Sequence, residues 1–225
     1  MQVMSVNLGK IREIAWKGRT FNTAIFKEAV LGKVPVGLPG LVGDQHANSE
    51  NHGGRLKALF AYPYEHYTEF WHSVLADSSL PYGSFGENVT TQDWLDDRVY
   101  VGEKYRIGTA VVMVTIPRKP CYKLNARLGR DDVLPKYLES KRTGFYLAVI
   151  EEGEIGAGDA INLLESHRLR VTPRDIVNLY LGHCLDRELL ERLVKLEFVT
   201  DRMRESLIQR FDRFARHSEE ESGEF

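Results

Sequence analysis

The sequence predicts a mainly β chain with helices, an α+β fold in which a β-barrel leads into a small three-helix bundle. Three observations carry that prediction. Short β-rich runs separated by glycines fill the chain up to about residue 165, one amphipathic insertion interrupts them after Pro63, and the apolar period becomes helical after Arg168. The expected organisation is a barrel domain over 1–165, a three-helix domain over 166–217 and a flexible acidic tail over 218–225.

Residues 1–7 open in strand-like alternation, without the basic start, apolar stretch and small-residue cleavage site of a secretory leader. Further β-rich runs fall at 24–26, 58–62, 98–101, 110–116, 145–150 and 160–164, with Gly102, Gly108, Gly153, Gly156 and Gly158 as turn residues. So many short runs argue for a barrel or sandwich. After Pro63, the residues Tyr67, Phe70, Trp71, Val74 and Leu75 share one face of a helix. A shorter helix is signalled around 135–139.

Thr172-Pro173-Arg174-Asp175 then combines a capping side chain, a first-turn proline and an acidic third helical residue, a strong helix start. Ile176, Leu179 and Tyr180 line one face of that helix. Asp186 caps a second helix carrying Leu189, Leu190, Leu193 and Val194, and Thr200 caps a third carrying Met203, Leu207, Phe211 and Phe214. A bundle this small buries little apolar area alone, so it is expected to dock on the barrel or on a second subunit.

The 225 residues are 43% hydrophobic and 28% charged, which suits a folded domain rather than a disordered chain. A net charge of −2 with no long basic run argues against a nucleic-acid polymer as partner. No segment approaches the ~18 apolar residues that span a bilayer. With Cys121 and Cys184 far apart and in dissimilar settings, the expectation is a cytoplasmic protein without disulfides, and without a membrane partner.

Three polar clusters could carry chemistry. The first, from Gly43 to Lys57, joins the pair Gly53 and Gly54 to Arg55 and Lys57, a combination suited to an anion such as phosphate; alone, it also reads as a flexible glycine loop. Asp44, His46 and His52 within it match no strong zinc spacing. In the second, Gly83 to Thr91, Glu87 could move protons and Asn88 could hydrogen-bond a ligand, although the stretch also reads as a capped turn before a strand. The third surrounds Cys121, where Pro117 and Pro120 stiffen a loop whose Arg118, Lys119 and Lys123 favour a thiolate, the form that ligates metals and attacks electrophiles. The alternative there is a buried structural thiol. Nucleotide-binding glycine fingerprints, a phosphate loop and a serine-hydrolase elbow do not occur.

Taken in order, these stretches resemble the MOSC family, named for the C-terminal domain of molybdenum cofactor sulfurase. The resemblance rests on Gly43-Asp44, His52-Gly53-Gly54 with Lys57-Ala58, Phe85-Gly86-Glu87-Asn88-Val89, Gly102 with Tyr105-Arg106-Ile107-Gly108, Pro117-Arg118 with Pro120 to Leu124, and Gly153-Glu154 with Gly158-Asp159. The helices that follow resemble the three-helix extension of bacterial members that confer resistance to hydroxylaminopurine. This implies a MOSC β-barrel that binds a molybdenum–pterin cofactor, the molybdenum cofactor (molybdopterin), with Cys121 as the molybdenum ligand. It also implies reduction of N-hydroxylated compounds (hydroxylaminopurines, amidoximes, hydroxylamines) to amines or amidines, a detoxifying reaction fed by a separate flavoprotein or iron–sulfur reductase. An association with pyridoxal phosphate belongs to the same resemblance.

The resemblance implies that Gly53, Gly54, Arg55, Lys57, Arg118, Lys123 and Asn125 hold the cofactor, and that His52, Glu87 and Asn88 orient substrate or move protons beside Cys121. The chain departs from the family at Leu56, where members often carry an acidic residue, so no proton role is carried to that position. Two other readings stand beside the reductase. Cys121 could serve a cofactor carrier or sulfur-transfer protein as a persulfide, or act with His52 as a hydrolytic nucleophile. The helical bundle offers a face for a homodimer contact or for docking an electron donor.

Overall fold

In a computed structural model, residues 1–47, 54–77, 79–197 and 199–222 are described, together with the backbone but not the side chains of 217–222. The centre of the molecule is an eight-stranded sheet built from β1 (Gln2–Gly9), β4 (Lys27–Val30), β7 (Leu59–Pro63), β8 (Val89–Gln92), β9 (Lys104–Ile107), β10 (Ala110–Pro117), β11 (Phe145–Glu151) and β13 (Ile161–Glu165). Its spatial order is β13-β9-β10-β11-β7-β8-β1-β4, antiparallel throughout except for the β7–β8 pair. The sheet curls until the start of β1 meets the approach to β13. Among the described residues, a bridge between Gln2 and Ala160 and backbone bonds such as Gly158 N to Val3 O (2.8 Å) join that seam.

Two smaller sheets complete the β structure: β5 (Lys33–Gly37) with β6 (Gly40–Leu41) and β12 (Gly153–Gly156), and the hairpin of β2 (Arg12–Trp16) with β3 (Arg19–Thr23). The hairpin turns at Lys17-Gly18, both with positive φ, as a two-residue loop with the strand-matching twist requires. Inside the roll, Val6, Leu59, Ile107, Val112, Leu147 and Trp94 are fully buried. A second core lies outside it, where helix α1 (residues 64–75, π-helical over Tyr67–Trp71) packs Tyr67 and Trp71 against Tyr62, Phe85 and Tyr137. Helices α2 (Lys123–Leu128) and α3 (Val133–Ser140) cover its far side.

Two expected strands are not strands. At 24–26 the backbone is spent locally, with Ile25 N donating to Thr23 Oγ1 and Lys27 N to Ile25 O. At 98–101 the amides of Arg98 and Val99 both turn back to Leu95 O; the apolar alternation there marks burial of Val99 and Val101.

The C-terminal helices follow their caps closely. Helix α4 (Pro173–Leu181) begins with a capping box between Thr172 and Asp175, α5 (Arg187–Val194) with Asp186 accepting from Leu189 N, and α6 (Asp201–Ser222) with Thr200 accepting from Met203 N. They share a core of Leu179, Leu189, Leu190, Leu193, Leu196 and Phe211, joined by Val101 and Val171 from outside the helices. Helix α6 continues through 218–222, where a flexible tail was expected, because no glycine or proline interrupts it before Gly223. Residues 223–225 lie outside the described residues.

Candidate functional site

Strand β10 ends at Pro117, and the next four residues carry the chain over the rim of the sheet to Cys121 before α2 begins. Cys121 is half-buried, and its carbonyl accepts from Leu124 N at 2.9 Å, which ties the loop to the first turn of α2. The thiol lines a cleft of about 620 Å³, measured out to its open mouth, together with Lys27, His46, Lys57, Asn88, Arg118 and Lys123. Four cations and no carboxylate stand among its described lining residues.

Each cation is held by a different device. Arg118 is buried, donates to Phe85 O and stacks 4.4 Å from the centre of the Phe60 ring. Burial opposes its charge, but Tyr137, Tyr146, Cys121 and Glu87 more than offset this and leave its pKa above the ordinary guanidinium value. Gly86, also on the wall, has φ +77°, and a Cβ there would meet Ile25 at 2.8 Å, so only glycine lets the chain pass under Arg118. Lys57 leaves the 3₁₀ turn Arg55–Lys57 with its pKa lowered by burial. Lys123 donates to Asn22 O at 2.9 Å on the β2–β3 hairpin, while Phe21 packs edge-on against Tyr122.

Lys27 went unnoticed in the sequence and forms the floor. Its ammonium is 2.5 Å from Asp44, whose carboxylate also accepts from Gly9 N (2.7 Å) and Asn88 Nδ2 (2.8 Å). Both side chains are nearly inaccessible, at 6% and 2% exposed. Burial lowers the Lys27 pKa, and Asp44 opposes that. Removing one partner of such a pair costs about 3–5 kcal/mol, because it strands the other charge. His46 Nε2 lies 3.8 Å from the same carboxylate; burial lowers the imidazole pKa below 6.5, Asp44 pulling it up and Lys27 pushing it down. Asp44 is thus engaged by Lys27, Gly9 and Asn88.

Several expected site residues lie elsewhere or have other work. Glu87 is fully buried and faces away from the cleft, accepting from Tyr67 Oη, Gly83 N (2.8 Å), Phe85 N (3.1 Å) and Thr90 Oγ1 (2.9 Å). Burial raises its pKa and those bonds oppose the rise. It staples the 83–90 loop and is not among the residues that line the cleft. Asn88 lines the cleft, but its amide is engaged by Phe60 N and Asp44. Asn125 donates to Asp131 O and accepts from Leu134 N, both at 2.8 Å, which joins α2 to α3 outside the cleft. Arg55 is exposed and is not among the cleft's lining residues; Gly54, φ +96°, starts the 3₁₀ turn by accepting from Lys57 N. His52 and Gly53 lie outside the described residues. Besides Lys27, the cleft contains Phe60 and Tyr146, for which no sequence signal existed, since each owes its place to strand pairing, and Gln45 from the first polar cluster.

The sequence pattern of the MOSC domain matches residues 48–162, a stretch that contains Lys57, Asn88, Arg118, Cys121 and Lys123. YflK of Bacillus subtilis is 31% identical over 94% of this chain and 95% of its own length. A reductase of Gibberella moniliformis is 34% identical over 72% of this chain, which spans 29% of that longer protein. The crystal structure of YiiM from Geobacillus stearothermophilus matches with a TM-score of 0.76 at 28% identity, covering 93% of this chain and 98% of that one.

Proposed function

The chain belongs to the MOSC domain family, and from that premise we propose that it is a molybdenum-cofactor-dependent reductase of N-hydroxylated compounds. The observation that carries the reading is one half-buried thiol, Cys121, in a cleft whose charged lining is cationic among the described residues. A soft thiolate suits a sulfur-rich molybdenum centre, and buried cations suit an anionic pterin phosphate. The residues present therefore fit the group. Cys121 would ligate the metal; Lys57, Arg118 and Lys123 would hold the phosphate, with Lys27 adding charge from below. The cofactor, when bound, supplies the two electrons of the reduction.

The overall reaction consumes two electrons and two protons: an amidoxime gives an amidine and one water as the N–O bond breaks. Protons must come from the chain or from solvent. His46 is the titratable side chain among the described lining residues whose ordinary pKa of 6.5 lies nearest neutrality, and we assign it the delivery of a proton to the departing oxygen. Asp44 orients it from 3.8 Å, and Lys27 beneath limits its basicity. Asn88, held on both sides, shapes the wall and does not move protons.

Molybdenum and pterin content measured in the native protein and in Cys121→Ala tests this reading. Metal in the variant should fall to background, with reduction of benzamidoxime lost alongside it; equal metal in both proteins would remove the proposed ligand. Labelled sulfur carried on Cys121 by a protein that is fully loaded, supplied with a donor and still inactive would instead identify a sulfur-transfer protein.

A further inference from the structure

Where the C-terminal helices meet the rolled sheet they leave a groove of about 1110 Å³, measured out to its open mouth. Strand β10 contributes Ile116 and Pro117, α4 contributes Ile176 and Val177, and α6 contributes Met203 and Leu207, so its body is apolar. Its charged lining among the described residues is Lys57, Arg118, Lys119 and Arg202, with no carboxylate. Lys119 and Arg202 are exposed and form no ion pair among the described residues; Asp201, beside Arg202 in sequence, pairs instead with Arg204 at 2.7 Å and is not in the lining. The Lys119 ammonium lies 5.3 Å from the centre of the Tyr180 ring. That ring is itself fixed by the Arg210 guanidinium, which stands 3.9 Å from its centre and donates to the phenol oxygen at 3.1 Å. Arg202 belongs to the first turn of α6, where the helix dipole also favours an anion.

We propose that this groove binds an amphipathic organic acid, a free carboxylate carried on an apolar body. The walls from β10, α4 and α6 take the body, because contact with them removes hydrocarbon from water, and a pocket that is mostly apolar with a few placed charges is the usual form of a small-molecule site. Lys119 and Arg202 at the rim take the carboxylate, as an ammonium and a guanidinium do in charge-assisted hydrogen bonds. Charge then discriminates between ligands of equal apolar area: the rim attracts an acid and repels an amine. The chain as a whole carries a net charge of −2, so a preference for the anion has to come from this local lining. Lys119 and Pro120 directly precede Cys121, which places the bound acid beside the loop that carries the thiol. The site recognises its ligand without help from a metal or a cofactor, and it gives α4 and α6 a function of their own.

Decanoate and decyltrimethylammonium share one apolar chain and differ in the sign of the head group, so titrating each into the full chain by calorimetry, below its micelle concentration, tests the groove without any turnover. Decanoate should bind saturably, with one molecule per chain, and at least tenfold more tightly than the cation. Ser206→Trp, at an exposed position on the groove edge, should fill the apolar slot and weaken decanoate at least tenfold. The double variant Lys119→Glu with Arg202→Glu should abolish the preference for decanoate over decyltrimethylammonium. Both substitutions fall on exposed side chains, so thermal midpoints should stay at the native value. Equal affinity of the native chain for the two amphiphiles, or decanoate affinity unaltered in Ser206→Trp, would overturn the proposal. So would a concentration-dependent dimer abolished by Ser206→Trp, which would make the groove a subunit interface.

Discussion

His46 shares a carboxylate with Lys27, and that geometry sets its acid–base behaviour. Because its pKa is lowered from 6.5, the imidazole is neutral at pH 7 and gains its proton only as the pH falls below that value. If it delivers a proton to the departing oxygen, kcat should rise as pH drops through this window, and His46→Gln should flatten the profile while leaving molybdenum content intact. A stability change runs the other way: the unfolded chain takes up the proton near 6.5 and the folded chain only at lower pH, so native stability falls as pH decreases through that interval, and the Gln variant loses this slope too. A pH–rate profile of the variant that parallels the native one would remove His46 from the reaction. At this scale legibility was uneven. Arg118 and Lys123 announced themselves as cations around the proline-stiffened thiol of Cys121, and Lys57 as a cation beside a glycine pair. Lys27 did not, since nothing in Phe26-Lys27-Glu28 says that a lysine will be buried; its partner is 17 residues away. Glu87 and Asn125 misled for the converse reason, because a polar residue in a glycine-rich or basic loop looks the same whether it faces a ligand or a ring of backbone amides.

Elements meet at Asp96. Its side chain accepts from Arg174 Nη2 at 3.0 Å, from Thr143 N at 3.2 Å and pairs with His66 Nε2 at 3.0 Å, while its carbonyl accepts from Arg174 N. Burial works against its charge, but His66 and Arg174 outweigh this and hold its pKa below the usual carboxylate value. One carboxylate thereby joins α1, the approach to β11 and the first turn of α4. Asp96→Asn should cost about 1.5–3 kcal/mol, as expected for lost bonds to a charged group. Hydrogen exchange should show the loss as faster opening of α4 to α6 with little change in β7 and β10; uniform acceleration across the chain would contradict the assignment of this contact to docking. The starts of the C-terminal helices were readable because a cap is local chemistry over four residues. Strands were less readable. The runs at 24–26 and 98–101 have apolar residues that are buried by turns, and the β2–β3 hairpin was missed because its alternation is weak and its Lys17-Gly18 turn lacks the asparagine or aspartate that advertises such loops.

Across the whole molecule, a rolled sheet and a helical unit with its own core leave two hollows, one polar and one apolar, both lined in part by Lys57 and Arg118. For the proposed reaction, the sheet's rim would hold the cofactor and electrons would arrive from another protein. The loaded chain given NADH alone should therefore show no turnover, and addition of a flavoprotein or iron–sulfur reductase should start it; turnover with NADH alone would overturn that division. What the sequence by itself determined is the chemistry carried by short stretches: the mainly β character, the capped helices, and a thiol set among cations beside a glycine-rich loop, all of which depend on neighbours within a few residues. Tertiary structure alone decided which polar residues face the cleft, that Lys27 and His46 stand on its floor and wall, and that a groove opens between sheet and helices. Those facts depend on strand pairing and packing between residues tens of positions apart, and no local pattern encodes such distances.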